Sequence, residues 1–302
     1  MCAEMGTGIN RIEQLDESNW REFQWHGLQW HMDGHAAISG DLLQCLTLLD
    51  ARILQWAEKL NATEFLFPNF ISVQDLAPTG YCASFPHLAT FAHTPKLEVD
   101  NLHQFKQGSK TAVTDNVDWQ ATKQVLTPAA CYHFYHRFKD NNIADTTYLT
   151  TKCMCHRREE YYAPLQRQWN FTMREVVCFS DSEGISDFLE SAKAFILSLV
   201  DELGIKATWR QATDPFFDPC HDTKAISQIV EPVKQELSLE SGLAIASIND
   251  HRSFFADCYN ISYREQPAKS ACVAFGLERW LFALFYQHGK NIASWPLGES
   301  YE

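Results

Sequence analysis

The sequence predicts an α+β fold in which helices flank a mainly antiparallel sheet. Amphipathic helical patterns occur near the start, in the middle and near the end of the chain, strand-like runs follow one another between them, and no repeat or low-complexity linker divides the chain. The chain has 302 residues, of which 45% are hydrophobic and 13% aromatic, so it can bury a large core. We therefore expect one large domain, preceded by a polar N-terminal extension over residues 1–39.

The helices are predicted from apolar residues that recur at three- and four-residue steps, which is the period of an amphipathic helix. The first pattern follows an entry signal at Gly40-Asp41, and a later pattern ends at Gly204. The predicted helices cover residues 41–60, 128–139, 186–203, 222–231 and 276–289.

The strands are predicted from short runs rich in β-branched and aromatic residues, at 63–73, 146–155, 170–179, 207–212, 233–239 and 243–249. Pro68 interrupts the first run, which suits an edge or an interface because proline has no N–H for a ladder. The polar and aromatic link at 156–169 predicts a long hairpin. Residues 74–125 show no sustained period, so loops are expected there.

Charge and cysteine content exclude several classes of protein. The chain has 25 basic and 38 acidic residues, a net charge of −13, and no basic block, so a nucleic acid is a poor partner for it. No apolar run of about 18 residues is present, which argues against a membrane span. The N-terminus lacks the pattern of a signal peptide, and the ten cysteines are irregularly spaced, so we expect cytosolic thiols and a cytoplasmic protein.

One carboxylate stands among apolar residues in the run at 170–179. Side chains alternate along a strand, so Glu175 shares its face with Phe171, Met173 and Val177. A buried carboxylate needs a cation, a hydrogen-bond donor or a metal. The pattern alone favours a structural ion pair with a nearby arginine or lysine.

Two groups of charged residues are open to more than one interpretation. Arg279 falls in the first turn of the last predicted helix, where a cation opposes the helix dipole. A phosphate opposite it would stabilise that arrangement, but an exposed arginine with a packed stem would also explain it. The Arg-Arg-Glu-Glu run at 157–160 by itself predicts a solvated charge cluster.

The order of these segments resembles motifs 1, 2 and 3 of class II aminoacyl-tRNA synthetases, closest to the seryl type. A proline-bearing strand after a long helix resembles motif 1. The segments CHRRE (155–159) and RQWNFTMRE (167–175) resemble the two strands of motif 2. The segment AFGLER (274–279) resembles motif 3. LAIASIN (243–249) resembles the strand that carries S-S-C-S-N, and LTPAAC (126–131) resembles the substrate loop L-x-P-T-x-E, with Cys131 in place of Glu.

Truncated homologues with this layout are the amino acid:[carrier protein] ligases, and the segments A-C, F-T-M-R-E and S-A-C-V-A-F-G are very similar to theirs. We expect no counterpart of the tRNA-binding domain that precedes motif 1 in seryl enzymes. The resemblance implies a class II synthetase-like catalytic domain over residues 40–302. It also implies ATP-dependent activation of a small amino acid, glycine or alanine, as an adenylate, and its transfer to the phosphopantetheine thiol of a carrier protein.

The resemblance also implies a metal site. Cys131, Glu175 and Cys272 would bind one zinc ion, as in the archaeal-type seryl enzymes. Three protein ligands leave a fourth position open, which is the pattern of a catalytic zinc site, and the substrate amine would fill it. This set would give Glu175 the partner that its burial requires.

For ATP, the resemblance implies that Arg157 holds the α-phosphate and the reacting carboxylate. Phe171 and Arg279 would sandwich the adenine, and Arg157 and Arg279 would be the catalytic pair. The remaining ATP contacts implied in this way are Glu159, Arg167, Gln168, Glu236, Ala246, Ser247 and Asn249. Magnesium would accompany ATP, although Leu243 stands where seryl enzymes have a metal-binding Glu, with Glu236 as the substitute.

The expected assembly is a homodimer with the segment around Pro68 at its interface, loading a carrier protein without tRNA or a membrane. Lys224 and Lys234 are candidates for carrier docking, although a solvated surface is the simpler interpretation of each. Three other functions remain open: a tRNA synthetase that recruits tRNA through a partner, a non-catalytic nucleotide-binding paralogue, and a structural zinc protein.

Overall fold

The computed structural model describes residues 24–111, 115–222, 224, 225, 228 and 233–297. The helices are α1 Gly40–Lys59, α2 Val73–Leu76, α3 Tyr81–Ser84, α4 Val99–Gly108, α5 Tyr132–Arg137, α6 Ser182–Glu202, α7 Phe254–Tyr259 and α8 Leu277–His288. The strands are β1 Leu28–His31, β2 His35–Ile38, β3 Thr63–Phe65, β4 Phe70–Ser72, β5 Phe91–Pro95, β6 Trp119–Leu126, β7 Asn142–Ile143, β8 Thr147–His156, β9 Asn170–Ser180, β10 Ala207–Gln211, β11 Lys234–Leu239, β12 Ala244–Arg252, β13 Ser262–Tyr263, β14 Gln266–Pro267 and β15 Lys269–Gly276.

A seven-stranded sheet forms the centre of the fold, in the order β10-β11-β12-β15-β9-β8-β3. Neighbouring strands are antiparallel except β3 and β8, which are parallel. This confirms the predicted α+β fold with a mainly antiparallel sheet. The long hairpin between β8 and β9 is also as predicted.

The main core lies on one face of this sheet, where α1, α6 and α8 pack. Trp56 of α1 stacks on Phe195 of α6 with ring centroids 4.8 Å apart and meets Phe275 of β15 edge-on. These three helices match the three strongest periodic patterns in the sequence. The opposite face of the sheet is therefore left to other elements and to a cavity. In the part of the chain that the structure describes, no helix is both long and apolar enough to cross a membrane.

Two regions differ from the expectation. The run at 63–73 is split at Pro68 into β3, which joins the main sheet, and β4, which pairs with β6 in a separate sheet. Residues 74–125, expected to be loops, contain β5, β6 and α4; β5 and much of β6 are only partly buried, so their apolar signal is weak. The predicted helix at 222–231 lies mostly outside the described residues, as do residues 1–23 of the extension.

A buried ion cluster joins α1 to the sheet. Arg174 of β9 donates to both carboxylate oxygens of Asp50, at 2.7 and 3.0 Å, and to Glu64 at 2.6 Å. Lys152 also lies 2.8 Å from Asp50. Burial raises the pKa of Asp50, but the hydrogen bonds from Arg174 and Lys152 outweigh it and hold the pKa below its ordinary value. The cluster fixes α1 against β8 and β9.

Replacing Asp50 with Asn should lower the free energy of unfolding by about 3–5 kcal/mol, because the charge of Arg174 stays buried without this partner. Urea denaturation at neutral pH measures the change, and the exposed Asp187→Asn on α6 is the matched control. Because the folded pKa of Asp50 is depressed, its contribution is present above the unfolded pKa and is lost as pH falls. A difference between D50N and the wild type that does not shrink on acidification would contradict this account.

Candidate active site

The face of the sheet opposite the main core lines a cavity of about 670 Å³. All of the site residues implied by the sequence line this one cavity: Cys131, Arg157, Glu159, Arg167, Gln168, Phe171, Glu175, Glu236, Ala246, Ser247, Asn249, Cys272 and Arg279. They come from segments more than a hundred residues apart in sequence. The fold therefore assembles one site from the separate motifs.

Strand register explains how three potential metal ligands meet. Glu175 of β9 lies opposite Ala274 of β15, and Cys272 lies two residues before Ala274, so Glu175 and Cys272 are diagonal neighbours on the same face. Cys131 directly precedes α5 and is buried over the same face. The ligand atoms of these three residues all lie within 4.8 Å of one another.

This cluster fits a zinc ion by its chemistry and by one orphaned atom. Glu175 Oε1 accepts a hydrogen bond from the Ala130 N–H at 2.9 Å, whereas its buried Oε2 has no partner. Burial, together with the charge of Cys272, raises the pKa of Glu175 to about 8. Two thiols and a carboxylate at this spacing form a ligand set that zinc accepts, and three protein ligands leave a fourth position open.

The sequence pattern favoured a structural ion pair for Glu175, and this prediction is wrong. The cations of the described residues form no salt bridge with it; the cation beside it in sequence, Arg174, points to the other face of the sheet. Two other cysteines near this site have apolar neighbours: Cys153 and Cys155 pack with Ala130 in a small apolar cluster. None of the cysteines that the structure describes forms a disulfide.

Two side chains of β12 reach the sulfur of Cys272. Asn249 Nδ2 donates to Cys272 Sγ at 3.3 Å, and His251 Nε2 lies 3.6 Å from the same sulfur. The resemblance implied that Asn249 contacts ATP, yet in this structure its amide serves a metal-ligand candidate. His251 was not singled out from the sequence, although it follows Ser247 and Asn249 at every second position of the same strand.

Arginines line the same cavity. The Arg157 guanidinium donates to Pro128 O at 2.9 Å and lies 5.3 Å from the centre of the Phe171 ring. Arg279 donates to Gln166 O and Ala244 O, at 2.8 and 3.0 Å. Burial, together with the nearby positive charges of the other arginines, lowers the pKa of Arg279 to about 10. Cations held this close favour a bound anion such as a triphosphate.

Three other implied ATP contacts have internal partners. Glu159 is paired with Arg167 at 2.6 Å. Gln168 uses both ends of its amide on the backbone, accepting from Leu165 N at 3.1 Å and donating to Asn170 O at 3.0 Å. Through these two hydrogen bonds Gln168 stabilises the end of the connection between β8 and β9. Ala246 belongs to the core on the opposite face of the sheet, although it also lines the cavity.

Glu236 lies opposite Ser247 in the sheet and is paired with Lys234, whose Nζ is 3.0 Å from Glu236 Oε1 and 2.8 Å from Asp214 Oδ1. The ammonium group of Lys234 is thus already paired with the carboxylate that the sequence suggests for magnesium.

Lys224, like Lys234, has an internal partner: it donates to Thr79 O at 2.7 Å. Both lysines suggested for docking line the cavity and are held by internal partners, which does not fit a docking surface.

Glu278 is a second buried carboxylate that sequence reasoning missed. Both of its oxygens accept the Thr172 N–H at 2.9 Å, and burial raises its pKa to about 7. It lines the cavity beside Arg279 and ties α8 to β9. Its position in the AFGLER segment, directly before Arg279, could have identified it from the sequence.

The hairpin of β1 and β2 supports the connection between β8 and β9. Gly34 O accepts the Trp169 N–H at 2.9 Å, and the His35 ring stacks on Trp169 with centroids 5.3 Å apart. Gly34 has a φ of +90°, and a Cβ at this position would lie 2.6 Å from the Tyr162 ring. Residues of the extension thus position the connection that carries Glu159 and Arg167. The division at residues 39 and 40 stays a prediction.

Comparison with known proteins finds relatives with this layout. Amino acid--[acyl-carrier-protein] ligase 1 of Bradyrhizobium diazoefficiens is 32% identical over 245 residues, which are 76% of this chain and 73% of that protein. Ligase 2 of the same organism is 30% identical over 280 residues, which are 87% of this chain and 80% of that protein. No family model matches the sequence.

Among solved structures, M. kandleri SerRS in complex with A. aeolicus tRNASec superposes with a TM-score of 0.78 at 18% identity, covering 93% of this chain and 58% of that chain. The likeness shows that the fold is that of a class II synthetase catalytic domain. The chain matches little more than half of the length of that synthetase.

Replacing Gly34 with Ala should weaken ATP binding by about tenfold, because the new methyl group displaces Tyr162 and the connection behind it, and a shift of about 1 Å in a positioned group is costly. Isothermal titration with ATP measures the effect. Gly242→Ala is the matched control, since Gly242 also has a positive φ (+88°) but meets nothing within 4 Å. Equal ATP affinities for the two variants would show that the hairpin does not position the site.

Proposed function

The chain belongs to the amino acid--[acyl-carrier-protein] ligase family and is a ligase, and we propose that it activates glycine or alanine with ATP and transfers it to the phosphopantetheine thiol of a carrier protein. The observation that carries the proposal is one cavity lined by two chemically distinct groups of side chains. Cys131, Glu175 and Cys272 form a metal-ligand set, and Arg157 and Arg279 line the same cavity. An amine matches the first group and an acyl phosphate the second.

The metal-ligand set would hold one zinc ion, and its open position would supply a Lewis acid for the neutral amine of the substrate. The orphaned Glu175 Oε2 supports this assignment. Cys131 and Cys272 come from elements on either side of Glu175, so the three ligands would fix the amine relative to the sheet. Magnesium would enter with ATP as part of the substrate.

Arg157 and Arg279 would stabilise the charge of adenylate formation. The substrate carboxylate attacks the α-phosphorus of ATP, a new carboxyl–phosphorus bond forms, and pyrophosphate leaves. Both guanidiniums are held by backbone carbonyls, so they are oriented before the substrate arrives. Phe171 would contribute its ring to adenine binding, with Arg167 on the triphosphate. The chain thus acts by positioning and electrostatics.

The transfer step would follow in the same cavity. The pantetheine thiol gives its proton to solvent and its sulfur attacks the adenylate carbonyl, so that a carbon–sulfur bond forms, the bond between the acyl carbon and the phosphate oxygen breaks, and AMP leaves. A net charge of −13 supports a protein-borne acceptor over tRNA.

We further propose a homodimer in the cytoplasm, where ATP is available, with the segment around Pro68 at its interface. Leu66 and Phe70, on either side of Pro68, are 92% and 44% exposed, so this segment presents adjacent apolar side chains that a second copy of the chain would cover.

Amino-acid-dependent exchange of labelled pyrophosphate into ATP tests the activation step. We expect strong exchange with glycine or alanine and weak exchange with larger amino acids. Loading of labelled amino acid is then measured on a phosphopantetheinylated carrier protein, the same carrier without its prosthetic group, and tRNA. Label on the modified carrier alone is the expected result. Label on tRNA would favour a synthetase, and absence of exchange would favour a nucleotide-binding paralogue.

Replacing Cys131 with Ala should remove bound zinc and abolish the exchange reaction while the chain stays folded. The reason is that two ligands hold zinc much more weakly than three. Zinc content by atomic emission, pyrophosphate exchange and circular dichroism measure the three effects. Cys258→Ala, which removes a thiol outside the cluster, is the control. Exchange at the wild-type rate in zinc-free C131A would contradict the metal assignment.

A further inference from the structure

His251 lies against one of the proposed metal ligands without belonging to the ligand set. Its Nε2 is 3.6 Å from Cys272 Sγ, and its Nδ1 is 2.9 Å from the hydroxyl of Tyr135. Asn249 Nδ2 donates to the same sulfur at 3.3 Å. Cys272 therefore has two nitrogen neighbours from β12, whereas Glu175 lies on β9, the strand on the other side of β15.

The direction of these hydrogen bonds follows from the state of the sulfur. A cysteine that binds a metal is a thiolate, which has no proton to donate. In a neutral His251, Nε2 must then carry the ring hydrogen and donate it to Cys272. Nδ1 is left as the acceptor, so the Tyr135 hydroxyl donates to it. The result is a donor chain from Tyr135 through His251 to Cys272.

Packing holds this chain in place. Tyr135 is fully buried in α5 and stacks on Phe255 of α7, with ring centroids 3.6 Å apart and an interplanar angle of 3°. Phe255 in turn meets the edge of the His251 ring at 4.8 Å. Rotation of the imidazole away from Cys272 would break the bond to Tyr135 and disturb this aromatic packing. The imidazole is thus held by packing as well as by its hydrogen bonds.

We propose that His251, oriented by Tyr135, is a positioning residue for the metal centre. Together with Asn249 it fixes the direction in which the sulfur of Cys272 faces the ion. The proposal rests on the zinc site of the proposed function and deepens it. Partners of this kind, outside the ligand set, orient ligands and tune the charge that they place on a metal.

The imidazole acts through the sulfur and not as a ligand. Among the described residues, the ligand atoms that all lie within 4.8 Å of one another are those of Cys131, Glu175 and Cys272. The open position thus stays available to a substrate amine. An N–H donor to sulfur also draws electron density from the thiolate, which leaves the ion a stronger acceptor for that amine.

Zinc affinity tests the proposal, measured on the full chain by competition with a chromophoric chelator. His251→Phe keeps an aromatic ring against Phe255 but removes both nitrogens, and we expect its zinc affinity to fall by about 10–100-fold. Tyr135→Phe removes only the hydroxyl and should give a smaller loss in the same direction. His93→Phe, on an exposed position of β5, should leave the affinity unchanged.

Cobalt substitution provides a second readout that activity and global stability do not affect. The sulfur-to-cobalt charge-transfer band should shift in H251F and in Y135F, because the sulfur loses a hydrogen bond or its orientation. If H251F does not fold, Y135F carries the test. Wild-type zinc affinity and an unshifted band in the folded variant would overturn the proposal. A wild-type protein that binds no zinc would overturn it together with the metal site of the proposed function.

Discussion

Two neighbouring residues of β9, Arg174 and Glu175, bury a guanidinium and a carboxyl group on opposite faces of one sheet, and the rest of the structure is arranged around them. Because side chains alternate on a strand, these two residues cannot neutralise each other. Each must find its partners in other elements, since an unpaired buried charge is costly. Arg174 finds Asp50 and Glu64, and so holds α1 and β3 against the sheet. Glu175 accepts a hydrogen bond from a backbone N–H and lies beside two thiols, with which it forms the metal-ligand set.

The cavity brings together two groups of side chains with different chemistry, a set of metal-ligand candidates and a group of arginines. Lys234 also lines the cavity and pairs with two carboxylates, Asp214 and Glu236. Burial, together with the positive charges of Arg167 and Arg157, lowers the pKa of Arg279 to about 10. The aminoacyl-adenylate of the proposed function would offer an amine to the ligand set and a phosphate to the arginines.

The parts of the fold that sequence patterns predict are those with long periodic signals. The three main helices and the hairpin of β8 and β9 follow directly from periodicity, as does the shared face of Ser247 and Asn249. The same alternation extends to His251, so that residue could have been found. Strands β5 and β6 could not, because most of their side chains are exposed or half-buried and leave no clear apolar alternation.

The limits of sequence reasoning are clearest where the outcome depends on contacts distant in sequence. Spacing could not choose Cys131 and Cys272 among ten cysteines, and the resemblance to a family did so. The pattern also predicted an ion pair for Glu175, whereas the nearby cation faces the other way. The direction of an amide, as in Gln168 and Asn249, is decided by tertiary contacts that leave no mark in the local sequence.

With zinc bound as proposed, the ligand set would also limit which acids the cavity can activate. Two thiolates and a carboxylate carry more negative charge than a zinc ion cancels, so hydrogen bonds to the sulfurs have to offset the excess. An ammonium has no lone pair for a metal, and an acylated nitrogen has a poor one. A carboxylic acid without a free amine would leave the open position unfilled and its carboxylate unoriented. In the proposed function, selection for a free amino acid would thus follow from the ligand set, whereas the choice among small side chains would depend on the walls of the cavity, where one methylene is worth about 1–3 kcal/mol.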